Sequence, residues 1–331
     1  MREKNQNIEM LRAISCMMVI MIHVANYFNR AYGKITEWEY IFSTFCNVLC
    51  RVSVPCFFMI SGALLLHRQD SIKQSLKRAF RVLIVLLVWS VIYYVFNVYF
   101  MNTPVELREI LVVPVEAHLW YLYVLIPIYL ALPLLQWICG KMKPWMEKAI
   151  LYFCAGLTII STVVIAFEQL HGFVAEQIFG ASSLFYMFTG HVIVKNKEKI
   201  IWKTPVWLFL YFASCVLNAL LTCAFSFARS QHETLFFKYR SALIMIATIC
   251  FFIYIIKRER IWQGKCIISF CKCTFGIYLM HILFLDLFKK YVKPWDVSAY
   301  WTIPILTLGI GLATWGSIWV FRRCRIGNKI S

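Results

Sequence analysis

The sequence predicts an all-α chain: a polytopic integral membrane protein with about ten transmembrane helices. Three observations carry that expectation. Of 331 residues, 61% are hydrophobic and only 15% charged, against the roughly one-quarter charged that is usual in soluble domains. The mean hydropathy is +0.69. Apolar blocks of about 20 residues, enough to cross a roughly 30 Å hydrocarbon core as a helix, recur along the whole length with short polar connections.

The blocks fall at roughly 9–29, 41–66, 82–101, 118–138, 149–168, 180–195, 205–227, 240–256, 266–288 and 299–320. The first follows only Arg2 and Lys4, yet it is long, carries Arg12 and lacks a small-residue cleavage site, so it reads as an uncleaved helix rather than a signal peptide. No soluble domain fits between the blocks, and one transmembrane domain over 1–331 is expected. Basic connections stay on the cytoplasmic side of a membrane. With the first residues inside, that side collects the group Arg68, Lys73, Lys77, Arg78 and Arg81, then Lys141, Lys143 and Lys148, then Lys195, Lys197, Lys199 and Lys203. Lys257, Arg258, Arg260 and Lys265 follow, and then Arg322, Arg323, Arg325 and Lys329. Both termini are therefore expected in the cytoplasm. The net charge of +18 reflects this bias and attraction to anionic headgroups of the lipid bilayer, and no nucleic-acid partner is implied.

Other chemistries are disfavoured. Most of the 13 cysteines fall inside apolar blocks or beside basic loops, where they read as small packing residues rather than a disulfide framework. Cys271 and Cys273 lack a matching His or Cys pair, so no metal site is expected. A phosphate-cradling glycine loop, a Gly-x-Ser-x-Gly elbow and internal repeats are not evident.

Ionisable residues inside apolar blocks are expensive and mark candidate sites. In the first block Arg12 and His23 are eleven positions apart, close to three helical turns, so both project from one face, about 16 Å apart along the axis. Glu9, three residues before Arg12, can form a helical ion pair that offsets burial of the guanidinium. Arg51 lies in the middle of the second block and needs a polar cavity. Pro55 is expected to kink that helix, and Ser61 and Gly62 suit close helix packing.

"NIEMLRAISCMMVIMIH" resembles the opening of the acyltransferase 3 family of integral-membrane acyltransferases, whose first span carries an acidic residue, an Arg and then a His after ten intervening positions. "RVSVPCFFMISG" at 51–62 and "LKRAFRVL" at 76–83 resemble the next two signatures of the family, the latter its cytoplasmic Arg-x-x-Arg, here Arg78 and Arg81. Weaker echoes follow at 118–133 and 273–284. The pattern is closer to the family's smaller stand-alone O-acetyltransferases: where the surface-polysaccharide branch has a glutamate pair, this chain has Leu125 and Ile126.

The resemblance implies a cytoplasmic acyl-coenzyme A donor, here acetyl-CoA, an acceptor glycan or lipid-linked glycan, and a catalytic role for His23. Arg78 and Arg81, at i and i+3 beside Lys77, stand where coenzyme A phosphates would arrive, with Arg12 deeper on the same side. His23 would act as general base or transient acyl carrier. His118, next to Trp120, Tyr121 and Tyr123, opens the fourth block; Tyr278 and His281 share a face in the ninth. With Arg51, the residues His118, Trp120, Tyr278 and His281 are the candidates for the core and the acceptor side. Asp286 reads as an outer-surface carboxylate, and His67, His171, His191 and His232 receive no role. The expected activity is O-acetyl transfer in a bacterial cytoplasmic membrane, with succinyl as an alternative acyl group and a periplasmic or extracellular partner protein as an option. A transporter or flippase of a lipid-linked sugar is the competing class, since it too needs basic and aromatic groups in a cavity between helices.

Overall fold

The computed structural model describes residues 6–103, 114–166, 173–258 and 265–323, with the helical backbone alone described at 157–159, 161–166, 173–181 and 265–266. Every regular element among them is helical. In chain order the α-helices are α1 (Gln6–Asn29), α2 (Glu37–Cys50), α3 (Ser53–Leu65), α4 (Ile72–Val95), α5 (Trp120–Lys141), α6 (Pro144–Ala166), α7 (Phe173–Lys195), α8 (Thr204–Ala228), α9 (Ala242–Ile256), α10 (Lys265–Tyr291) and α11 (Ala299–Phe321). Among the described residues, eight segments are long and apolar enough to cross a membrane, α2 and α3 together counting as one. The two remaining predicted blocks, at 149–168 and 180–195, correspond to α6 and α7. The chain is a multi-pass membrane protein. Arg2, Lys4, His171, Arg260, Arg325 and Lys329 lie outside the described residues.

The first helix is the hub: α1 packs against α2, α3, α9, α10 and α11, burying Leu11, Ile20, Val24 and Phe28 completely. Large apolar side chains on the outer faces of α4, α8 and α11 are instead exposed, as a lipid-facing surface requires.

The second block differs from a single kinked helix. It is two helices, broken at Arg51 and Val52. Pro55 supplies the reason, because it has no N–H to give the carbonyl four residues earlier, that of Arg51, and its ring crowds that carbonyl. The break leaves Arg51 at the C-terminal end of α2, where a cation is favoured by the helix dipole. Its Nε–H donates to Asn47 Oδ1 at 2.8 Å, and the guanidinium lies 4.8 Å from the centre of the Phe237 ring. Behind it the buried Asn29 amide is within 2.9–3.0 Å of Ser43, Thr44 and Asn47, tying α1 to α2.

Beyond the break, α3 meets α7 backbone to backbone. A Cβ on Gly62 would stand 1.6 Å from the Met187 carbonyl oxygen, and one on Gly190 would stand 2.2 Å from that of Met59. Small residues let helices approach this closely in a membrane, where hydrophobic pressure between helices is weak.

Tyr40, at the start of α2, reaches Ser226 at 2.7 Å and His232 Nδ1 at 2.9 Å, pinning the connection between α8 and α9. Burial pushes the His232 imidazole down to about 4, with Arg51 and Arg30 acting in the same direction. Histidine bound in its neutral form stabilises fully above its unfolded pKa of about 6.5 and loses that contribution as pH falls towards the folded value.

Two outcomes follow from this packing. Gly62→Val should lower the melting temperature of the detergent-purified protein sharply or abolish folding, since overpacking costs about 1–3 kcal/mol or more; Gly309→Ala, where a Cβ meets open space, should match wild type. Melting temperature should also decline between pH 6.5 and about 4, and His232→Gln should flatten that decline.

Candidate active site

Two cavities approach each other along α1 from opposite ends of the bundle. The one beyond the C-terminal half of α1, about 510 Å³, is lined by His23, Asn26, Tyr27, Arg30 and Lys34, by Glu116 and His118, and by Asp286, Lys289, Lys293 and Trp295. The other, about 420 Å³, is lined by Arg12, Ser61, Arg78, Arg81, Tyr121, Tyr129 and Tyr278 among others. These are the Arg30 cavity and the Arg12 cavity below. Arg12 and His23 share a helix face but line different cavities, so the continuous wall expected from their spacing is interrupted.

The interruption is a layer of aromatic rings. The His23 ring lies 5.2 Å from that of His281 and 6.4 Å from that of His118, and His118 and His281 are 5.2 Å apart, centre to centre. Tyr278 packs on His118 at 5.7 Å and donates its hydroxyl proton to the His118 carbonyl. Tyr121 backs Tyr278 at 5.7 Å. His118 and His281 are buried, and His23 is partly open to the Arg30 cavity.

The tautomers of two of these rings follow from their partners. His281 Nδ1 is 2.7 Å from the Tyr278 carbonyl oxygen, and His118 Nε2 is 3.3 Å from the Leu279 carbonyl oxygen. A carbonyl can only accept, so these nitrogens carry the protons and the other two are bare. His281 Nε2 and His118 Nδ1 have no hydrogen-bond partner among the described residues. Both side chains thus keep a lone pair available inside the layer. Among the described residues no three His, Cys, Asp or Glu side chains converge as metal ligands would.

The Arg12 cavity is basic. One Arg12 nitrogen binds both Glu9 oxygens, at 2.9 and 3.0 Å. Glu9 in turn opens onto a third cavity of about 790 Å³, with His67, Arg68, His191 and Lys195 on its walls. Arg78 pairs with Asp70, whose carboxylate also accepts from Gln136 at 2.9 Å. The Arg78 bond holds the Asp70 carboxyl below its ordinary range. Arg81 lines the same cavity with no carboxylate partner among the described residues. Lys77 is exposed on α4 and is not among the lining residues.

The acceptor-side candidates separate in space. His118 and His281 join His23. Tyr278 packs on His118 and also lines the Arg12 cavity. Trp120 stacks on Tyr239 at 5.8 Å, away from either cavity's lining, and Tyr239 hydrogen-bonds Arg51. Sequence reasoning missed the charged rim of the Arg30 cavity. The signal was present for Arg30, which lies seven residues after His23 and so on the same helix face. Lys289, in the last turn of α10, and Lys293 and Trp295, in the connection after it, come from a distant part of the chain whose approach to α1 no local pattern encodes.

Tyr278→Phe should lower the stability of the purified protein by about 1 kcal/mol through loss of the bond to the His118 carbonyl. Tyr152→Phe, whose ring is exposed on α6, should leave the melting temperature unchanged.

Comparison with curated proteins and with solved structures found no match to this chain. The family model described as an acyltransferase domain, acyltransferase 3, matches residues 5–322, which takes in every residue of both cavities and of the histidine layer. That span and the all-helical membrane architecture lead to one conclusion: the chain belongs to the acyltransferase 3 family of membrane acyltransferases.

Proposed function

We propose that this acyltransferase moves an acetyl group from cytoplasmic acetyl-CoA to a hydroxyl of a surface or lipid-linked glycan in a bacterial cytoplasmic membrane. The observation that carries the reading is the histidine layer, with bare ring nitrogens, between two cavities that open towards opposite ends of the helix bundle. Under the positive-inside rule the Arg12 end faces the cytoplasm and the Arg30 end faces outwards. Arg81 and Arg78 then stand where the donor's phosphates enter. The pantetheine arm runs past Arg12 and Tyr278 and brings the thioester to the layer, while the glycan hydroxyl arrives from the Arg30 cavity beside His23.

His23 takes the hydroxyl proton as the oxygen attacks the thioester carbonyl. The C–O bond forms, the C–S bond breaks as the tetrahedral intermediate collapses, and the imidazolium returns its proton to the departing coenzyme A thiolate. A neutral imidazole is needed at the outset. His118 and His281, each fixed by a main-chain carbonyl, hold the ring in place and offer lone pairs to the transient positive charge. The electropositive pocket for phosphate suits Arg78 and Arg81, because guanidinium forks pair with phosphate in two-point contacts.

Radiolabelled acetyl-CoA supplied to vesicles containing the protein should label an envelope glycan, and His23→Ala at matched levels should reduce the rate by roughly 100-fold or more. Equal labelling by both would exclude His23 as the base. Arg81→Ala should raise KM for acetyl-CoA by about tenfold with little change in kcat, as expected for a lost charge-assisted contact, while Lys77→Ala stays within about twofold of wild type.

A further inference from the structure

The Arg30 cavity carries more positive charge than catalysis on a hydroxyl requires. Arg30, Lys34, Lys289 and Lys293 line it, against two lining carboxylates, Glu116 and Asp286. Asp286 is bound to Lys289 at 2.8 Å, so those two charges offset each other. Glu116 accepts from Asn97 at 2.8 Å, and burial pushes its carboxyl up, towards the neutral form. Asp296 lies near Tyr27 and accepts from the Lys293 backbone N–H. Arg30, Lys34 and Lys293 have no ion-pair partner among the described residues, and Lys34 lies 4.8 Å over the Trp295 ring.

Three unneutralised cations converging on one cavity at the end of the bundle where basic residues are disfavoured call for a ligand rather than for topology. Resting on the acyltransferase reading above, we infer that the acceptor is an anionic saccharide, held by a carboxylate or phosphate group at Arg30, Lys34 and Lys293. The position of the anion is set by α1. Seven residues separate His23 from Arg30, or about 10 Å along the axis on the same face, longer than one sugar ring. The charge therefore belongs to the sugar residue or linkage next to the acetylated one, with Tyr27 and Trp295 as the aromatic surfaces between. Both a uronate in the chain and a phosphate linking sugar to carrier have this chemistry.

Binding to the full chain in nanodiscs, measured without acyl donor, isolates the inference from the reaction. The probes are a uronate-containing oligosaccharide, its carboxyl-reduced neutral counterpart and a sugar-phosphate oligosaccharide. At least one anionic probe should bind tenfold or more tightly than the neutral one, and should weaken as salt rises. The probe that binds better identifies the source of the anion. Arg30→Gln combined with Lys293→Gln should remove that preference, whereas Lys290→Gln, whose ammonium instead donates to the Phe100 carbonyl, should keep it. In the transfer assay the same double variant should raise KM for the anionic acceptor at least tenfold and leave KM for acetyl-CoA unchanged. Equal binding of all probes, or a double variant that retains the preference, would overturn the anion site. Charge-selective binding with no acetyl transfer to any probe would retain the anion site and overturn the acetyltransferase reading.

Discussion

Two consecutive main-chain carbonyls of α10, those of Tyr278 and Leu279, are the anchor on which the centre of this protein depends. The first takes the Nδ1 proton of His281. The second takes the Tyr93 hydroxyl proton at 2.7 Å and the Nε2 proton of His118. Tyr278 closes the set by donating its own hydroxyl proton to the His118 carbonyl. One other helix, α4, and the turn before α5 are thereby registered against one short stretch of α10. In hydrocarbon an unpaired polar group costs several kcal/mol, so such bonds fix geometry as well as position.

The same constraint explains the remainder of the buried polar inventory. Arg51 is tolerated because the α2 carboxyl end, Asn47 and the rings of Phe237 and Tyr239 surround it, and that environment exists only because Pro55 forbids an unbroken helix. Arg12 is tolerated through Glu9, and Arg78 through Asp70 and Gln136. Each of these half-buried cations is therefore accompanied by its own local partner, and two of those partners, Glu9 and Gln136, sit on the wall of the third cavity. Arg81 and, at the opposite end, Arg30, Lys34 and Lys293, which lack such partners among the described residues, are the ones left to meet a ligand.

Much of this was legible in the sequence because an ionisable residue in a 20-residue apolar block has few explanations. His23 and Arg12 stand out that way, and helical spacing puts them on one face. The meeting of His23, His118 and His281 is only half legible. Depth along each helix follows from residue counting, but the rotation of α10 that turns His281 inwards depends on packing against α1 and α11. The partition into two cavities is not legible at all, because it depends on Tyr121 and Tyr278 filling the middle, and aromatic residues near a span's end read equally well as an interfacial belt. Likewise, Pro55 predicts a disturbance but not whether the chain bends or breaks, because a proline inside a helix can do either.

The fixed tautomers of His118 and His281 also bear on leakage. Cavities entering from both ends leave a thin septum between them, and a membrane that holds a potential drives each unit charge across with about 2.3 kcal/mol per 100 mV. A histidine conducts only by accepting a proton on one nitrogen and releasing another from the far one. In both of these rings the far proton points at a backbone carbonyl, which has nowhere to pass it. A proton captured by either lone pair must leave by the way it came, so neither ring relays protons from one cavity to the other.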